Sequence, residues 1–363
     1  MSYTFAAMEP PHHVAHYDVL GFIARGAMGS VHEARDSRDG TTVALKLVTL
    51  DSPDAAARFE REAQIARSLA HPRIVAVRDH GSLDDHGAWI AMERLRGCDL
   101  RERLTRGMLA PREAVVVAAG VCEALVHAHA RGVVHRDIKP RNLFLCEGDL
   151  TQVKLLDFGL ARRTDGDSVT VSGVLVGTLA YASPEQMRGA SDVGTAADVW
   201  SLGVTLYECL TGRLPFRAEH GAGLLYQIAF AAPERLSAAR PGLPRELYAL
   251  VDRMLDRDRG ARPTAQSLRD ALGEMLGRGS LDELARPPTP SAAPRSERRL
   301  SCVVHARSLD RSPVANEVAD ALRAWGAEVV PHFDGALDAR FGDDRWQGDE
   351  PLRATRAAWS LVE

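Results

Sequence analysis

His135-Arg136-Asp137-Ile138-Lys139-Pro140-Arg141-Asn142 follows a long helical pattern and the apolar pair Val133-Val134, which reads as a short strand. These eight residues therefore read as a loop at the foot of a helical lobe. Asp137 can accept or orient the proton of a hydroxyl nucleophile. Lys139, two positions on, can neutralise charge on a phosphoryl group in transfer, and Asn142 can hold a metal through its amide oxygen. Downstream, Val153-Lys154-Leu155-Leu156 reads as a strand that ends on Asp157-Phe158-Gly159. Asp157 offers hard carboxylate oxygens, the kind Mg²⁺ takes one or two at a time beside phosphate oxygens.

Upstream, Ile23-Ala24-Arg25-Gly26-Ala27-Met28-Gly29-Ser30-Val31 lies between two expected strands, Val19–Ile23 and Ser30–Arg35. Glycines there let backbone N–H groups approach phosphates without a Cβ in the way. Taken alone, two glycines between strands also describe a plain turn. A third strand, Thr42–Val48, carries Lys46 on one face with Thr42, Ala44 and Val48. The helix expected over 54–70 repeats Phe59, Glu62, Ala66 and Leu69 at helical spacing, which places Glu62 on the apolar stripe. A carboxylate there is costly unless paired. Lys46 is the only lysine upstream, so a Lys46–Glu62 ion pair is expected.

Lysine is scarce: 42 of the 45 basic residues are arginine, and Lys46, Lys139 and Lys154 are the exceptions. Lysine is a slim point charge and arginine a wide planar fork. Lys46 and Lys139 thus mark places that need the slimmer cation, whereas Lys154 is expected to face solvent.

The net charge of -4 supplies no polycationic footprint, so nucleic acid is not an expected partner. Five cysteines without C-x-x-C spacing fit a reducing cytosol rather than a zinc site or disulfide framework. The longest apolar run, 114–128, is interrupted by Glu123 and His127 and is too short and polar to span a bilayer. With no signal-peptide pattern at the start, a cytoplasmic location is expected.

Residues 1–16 read as an irregular tail with a His-Pro cluster. Turns are expected at Asp79-His80-Gly81 and at 84–87. Pro111 opens a helix that runs to about Arg131 and stops at Gly132. Ala196–Leu210 reads as a helix apolar on most faces, hence buried at a domain centre. Strands first and helices later predict an α+β fold with a small β-rich lobe and a larger helical lobe. The segment 277–299 is a linker, with prolines crowded into 284–299.

These motifs, in this order, resemble the eukaryotic-like (Hanks-type) protein kinases, specifically the bacterial serine/threonine kinases, from about Tyr17 to about Leu276. The resemblance implies a bilobal protein kinase fold over 17–276, with ATP and Mg²⁺ as cofactors and protein substrates as partners. It makes residues 23–31 the loop over the ATP phosphates. Lys46 and Glu62 become the strand–helix pair, Asp137 the catalytic base, and Asn142 and Asp157 the magnesium ligands. Ala44, Met92, Glu93 and Leu95 would line the adenine site, with Phe144 beneath the base. Lys139 and Thr178 are the serine/threonine choice rather than the tyrosine one. Ser183-Pro184-Glu185 stands where the family usually has Ala-Pro-Glu, and Glu185 should pair with Arg262. Ala24 replaces the first loop glycine, which implies weakened ATP affinity at most.

Arg136 meets a phosphorylated activation-segment residue in that family. Thr170, then Ser168 and Ser172, are the expected autophosphorylation sites, with a second copy of the chain as partner. An alternative is a kinase-fold module of a larger regulator that acts mainly by ATP-dependent binding.

Residues 300–363 read as a small α/β segment, with strands at 300–304 and 327–331 and helices at 314–325 and from Pro351. Glu297–Val304, Trp325–Val330 and Asp334–Gly342 weakly resemble the start of a class III nucleotide cyclase domain. Val304-His305-Ala306 lacks the metal-binding aspartate of that family. A degenerate or truncated regulatory module is expected, beside the alternative of an unrelated small α/β domain.

Overall fold

The computed structural model describes residues 12–26, 29–50, 52–83, 87–158, 179–189, 193–218, 221–279, 281, 302–306, 320, 322–324, 328–331 and 337–341. The chain divides into two units, Met1–Pro287 and Pro288–Glu363. The first holds the expected small and large lobes.

The small lobe is one antiparallel sheet in the order β1-β2-β3-β4-β6-β5. Its strands are β1 (His13–Val14), β2 (Tyr17–Gly26), β3 (Gly29–Asp36), β4 (Thr42–Thr49), β5 (Val77–Leu83) and β6 (Gly87–Glu93). Helix α1 (Pro53–Ser68) joins β4 to β5. Ser52 caps it by accepting the N–H of Ala55, and Pro53 occupies the first turn, where no N–H is needed. Side chains alternate across β4. Val43, Leu45 and Leu47 are buried with Tyr17, Ala34 and Trp89 on one face. Val48 packs with Phe59, Ala63, Ile90 and Met92 on the other. Lys46 is thereby held on the face shared with α1.

Two sequence readings of this lobe need correction. From His12 the chain is not a tail. β1 pairs with β2, Val14 and Tyr17 are buried, and Ser37 donates its N–H to the His16 carbonyl. Two apolar side chains suffice to seat the segment in spite of its polar composition. Asp79-His80-Gly81 is likewise not a turn but lies within β5. Gly81 is there for clearance: a Cβ would meet the Trp89 ring at 2.7 Å.

The large lobe begins with β7 (Gly97–Asp99) and α2 (Leu100–Thr105), then α3 (Pro111–His129). α3 starts on its proline, and the turn after it closes on Gly132 at φ 72°. β8 (Leu143–Cys146) and β9 (Val153–Leu155) follow, and with β7 they form a small sheet in the order β7-β8-β9. Then come α4 (Pro184–Met187), α5 (Thr195–Thr211), α6 (Gly221–Phe230), α7 (Leu236–Ala239), α8 (Arg245–Met254) and α9 (Ala265–Gly277). α5 is buried from Ala197 to Leu210 and ends on Gly212 in the left-handed region, as its apolar faces and glycine stop predict. Val133-Val134 forms no strand. The N–H groups that follow it bond to a side chain of α5 instead, as described below. No helix among the described residues is long and apolar enough to cross a membrane.

In the second unit, β10 (Cys302–Ala306), β11 (Glu328–Pro331) and β12 (Leu337–Phe341) form a sheet with β12 in the middle, antiparallel to both neighbours. Helical residues including buried Leu322 lie between β10 and β11 in sequence. This is a split β-α-β order. The sequence reading assigns β12 no residue range, and the helix expected from Pro351 lies outside the described residues.

Candidate active site

The loop 135–142 is anchored from below. Asp198 on α5 is fully buried. It accepts the N–H groups of His135 at 2.9 Å and Arg136 at 2.7 Å, and His129 Nε2 at 2.8 Å. A buried carboxylate needs such donors, and these fix the backbone ahead of Asp137. His135 Nε2 donates to the Leu156 carbonyl at 2.8 Å, while its Nδ1 accepts the Asp137 N–H at 3.2 Å. That pair of bonds selects the neutral tautomer protonated at Nε2. The His135 ring also meets Phe158 edge-on, centroids 4.7 Å apart. One imidazole thus ties the Asp137 loop to the segment carrying Asp157.

Arg136 at φ 68° and Asp157 at φ 55° sit in the left-handed region. Such non-glycine conformations cost about 1–3 kcal/mol each and persist where surroundings over-determine them. The Asp198 and His135 bonds do so here.

Asp137, Lys139 and Asn142 converge. Lys139 Nζ lies 2.8 Å from Asp137 Oδ2. Asn142 Nδ2 donates to the Asp137 carbonyl at 2.7 Å and to Oδ2 at 2.9 Å. With its nitrogen committed twice, Asn142 has its amide oxygen left for a cation. Among the described residues no group of three or more His, Cys, Asp or Glu could hold a metal. An ion bound mainly through substrate phosphates needs only one or two protein carboxylates, so Asn142 and Asp157 fit Mg²⁺.

Lys46 differs from expectation. Its Nζ bridges to Asp157 Oδ1 at 2.7 Å instead of pairing with Glu62. Glu62 sits half-buried on α1 next to buried Ala63, as its periodicity implies. Periodicity fixes a face, but it cannot say which of two carboxylates near that face receives the ammonium. Lys154 also differs: it does not simply face solvent, but bridges to Glu93 Oε1 at 2.6 Å. All three lysines of the chain therefore meet carboxylates.

Ile23, Ala24 and Arg25 end β2, and Gly26 pairs with Gly29 across the hairpin. A Cβ on Gly29 would lie 1.8 Å from the Leu47 carbonyl oxygen, so that position must be glycine. Ser30 Oγ lies 2.8 Å from His32 Nε2, and Val31 is the cross-strand partner of Lys46. Ala44 pairs with Met92, with Glu93 and Leu95 following, and Phe144 is half-buried on β8. Ala27 and Met28 lie outside the described residues, as do Ser168, Thr170, Ser172 and Thr178.

Glu185 and Arg262 pair as expected, through two bonds of 2.7 and 3.0 Å. The guanidinium lies over the Trp200 ring, 4.9 Å from its centroid. Ser183 has a local role: it caps α4 in a reciprocal capping box with Gln186. Gln186 Nε2 in turn donates to the Arg136 carbonyl at 2.8 Å, a link that sequence reasoning missed. The Ser-x-x-Gln spacing was its available signal.

A small β lobe beside a helical lobe, with an Asp-Lys-Asn cluster on the 135–142 loop and a Lys46–Asp157 bridge between β4 and the end of β9, defines the protein kinase fold class. The chain belongs to the protein kinase domain family, whose pattern matches residues 17–271. Among bacterial relatives, the serine/threonine-protein kinase PknB of Mycobacterium tuberculosis is 40% identical over 254 residues, covering 67% of this chain and 40% of that protein. The serine/threonine-protein kinase pkn2 of Myxococcus xanthus is 39% identical over 266 residues, covering 70% and 32%. The crystal structure of Rad53 1–466 in complex with AMP-PNP superposes with a TM-score of 0.59 at 27% identity, covering 72% of this chain and 65% of that one. The chain spans 40% of the length of the PknB relative. These similarities support the kinase relation and not the cyclase resemblance of residues 300–363.

Proposed function

We propose that this chain is a serine/threonine protein kinase that moves the γ-phosphoryl group of Mg·ATP to serine or threonine hydroxyls of proteins. The convergence of Lys139 and Asn142 on one oxygen of Asp137 is the observation that carries this reading. Those two donors and the Asp198 anchor hold the Asp137 carboxylate ready to orient the hydroxyl and take its proton. The hydroxyl oxygen bonds to the γ-phosphorus, the bond to the bridging oxygen breaks, and ADP leaves. Lys139 and Lys46 meet negative charge on the phosphates. Asn142 and Asp157 would hold Mg²⁺, which when bound neutralises charge on the β- and γ-phosphate oxygens. Glu62 is assigned as the carboxylate that receives Lys46 once phosphates and metal engage Asp157.

Ile23–Val31, Ala44, Met92, Glu93, Leu95 and Phe144 are assigned to ATP. Autophosphorylation at Thr170, with Ser168 and Ser172 as further acceptors, follows from the same reading. A phosphate facing Arg136 would order the segment, and a second copy of the chain would serve as the partner. Free Cys98, Cys122, Cys146 and Cys209 agree with a reducing, cytoplasmic setting. The second unit and the partial span of the relatives favour one further reading, a kinase module within a larger regulator, with residues 300–363 as a regulatory appendage. Phosphoamino-acid analysis after incubation with Mg·ATP tests the assignment. Phosphoserine or phosphothreonine is expected, and phosphotyrosine alone would refute it.

A further inference from the structure

The segment linking the lobes is tied down on both sides. Glu93, the last residue of β6, accepts Lys154 Nζ at 2.6 Å and the Ala76 N–H at 2.8 Å on the same Oε1. Its own N–H donates to the Ala76 carbonyl at 2.9 Å. Residues 73–76 also hold β9: Leu155 N–H donates to the Arg73 carbonyl at 2.8 Å, and Val75 N–H to the Leu155 carbonyl at 3.0 Å. Lys154 thus closes a circuit from Glu93, through 73–76, to the strand that leads into Asp157. On the other side, Arg94 donates to the Leu95 carbonyl and reaches Glu33 Oε2 on β3 at 3.5 Å.

Lys154 and Glu93 are 21% and 25% exposed at their side chains. A pair this shielded is screened less than a surface bridge and holds its geometry better. It crosses between the lobes, as does the Lys46–Asp157 bridge.

We infer that Lys154 is a positioning residue. Through Glu93 it fixes the backbone of 92–95, where the nucleotide base would dock, and links that backbone to the strand that leads into Asp157. The inference rests on the kinase reading and deepens it. Asp137 and Lys139 are held separately by the Asp198 network, so loss of the pair weakens nucleotide binding and spares the chemical step.

The test uses the full 363-residue chain. Lys154→Met, Lys154→Arg and the reversed pair Glu93→Lys/Lys154→Glu are titrated with ADP by calorimetry, and phosphoryl transfer is assayed over a range of ATP. Lys154→Met weakens ADP binding and raises KM for ATP about tenfold, with kcat within about twofold, the scale of one lost charged partner. Lys154→Arg keeps both within about threefold, because a guanidinium also reaches Glu93. The reversed pair restores the charge contact but not the Ala76 N–H bond, and so recovers only part of the affinity lost in Lys154→Met. Unchanged ADP affinity in Lys154→Met, or a fall in kcat without one in affinity, overturns the inference. Should Lys154→Met fail to fold, loss of affinity in both other variants refutes the assignment, and retention in either supports it. Wild-type chain that binds no ADP overturns the kinase reading itself.

Discussion

Lys46, Lys139 and Lys154 each point their single charge at one carboxylate: Asp157, Asp137 and Glu93. On the proposed function Lys46 serves both Asp157, 2.7 Å away, and the phosphates, in the space between β4 and the end of β9. Lys46→Arg keeps the charge but brings a planar fork too wide for that space. It is expected to lower kcat/KM at least about 100-fold with little change in melting temperature, measured by steady-state kinetics and thermal unfolding. These residues were readable because the chain spends lysine so sparingly. Their partners were not, because Lys46 and Asp157 lie 111 positions apart and only the fold brings them together. Lys154 shows the same limit. A lone lysine on a strand reads as solvated, and only the path of β6 puts Glu93 within its reach.

At the scale of elements, the tie between α4 and the segment ahead of α9 stands out. Burial pushes the Glu185 carboxyl up, but the hydrogen bonds and charge of Arg262, together with backbone and Ser183 hydrogen bonds, outweigh it and hold the group below its ordinary 4.5. The folded value lies below the unfolded one. The pair's contribution is therefore full above about pH 4.5 and is lost as pH falls through the folded value. Arg262→Met leaves a buried carboxylate unpartnered and is expected to cost about 3–5 kcal/mol at neutral pH. It should also flatten the acid-side loss of stability, which denaturant unfolding between pH 3 and 7 would show on roughly that scale. Gly29→Ala drives a methyl into the Leu47 carbonyl and is expected to destabilise by about 2–4 kcal/mol, read from the same unfolding curves.

The pairing of Glu185 with Arg262 was legible from motif order. The close approach of β3 to β4 at Gly29 was not, since a glycine between strands does not reveal whether it serves φ, clearance or a ligand. Gly81 was misread for the same reason: composition alone cannot tell a turn from a strand that passes under a tryptophan.

For the whole molecule, alternation in the strands and apolar periodicity in the helices specify two lobes, and α5 holds the 135–142 loop through Asp198. The fold class was legible because strand patterns precede helix patterns with little mixing. The entry of His12–His16 into the sheet was not, because two buried side chains leave little trace in composition. The direct test of the central claim is transfer of label from [γ-³²P]ATP and Mg²⁺ by the wild-type chain, Lys46→Ala and Asp137→Ala, with ADP binding of each measured alongside. Wild type should label protein serine or threonine, and both variants should fall at least about 100-fold, Asp137→Ala while still binding ADP. Equal labelling by all three proteins would contradict the account.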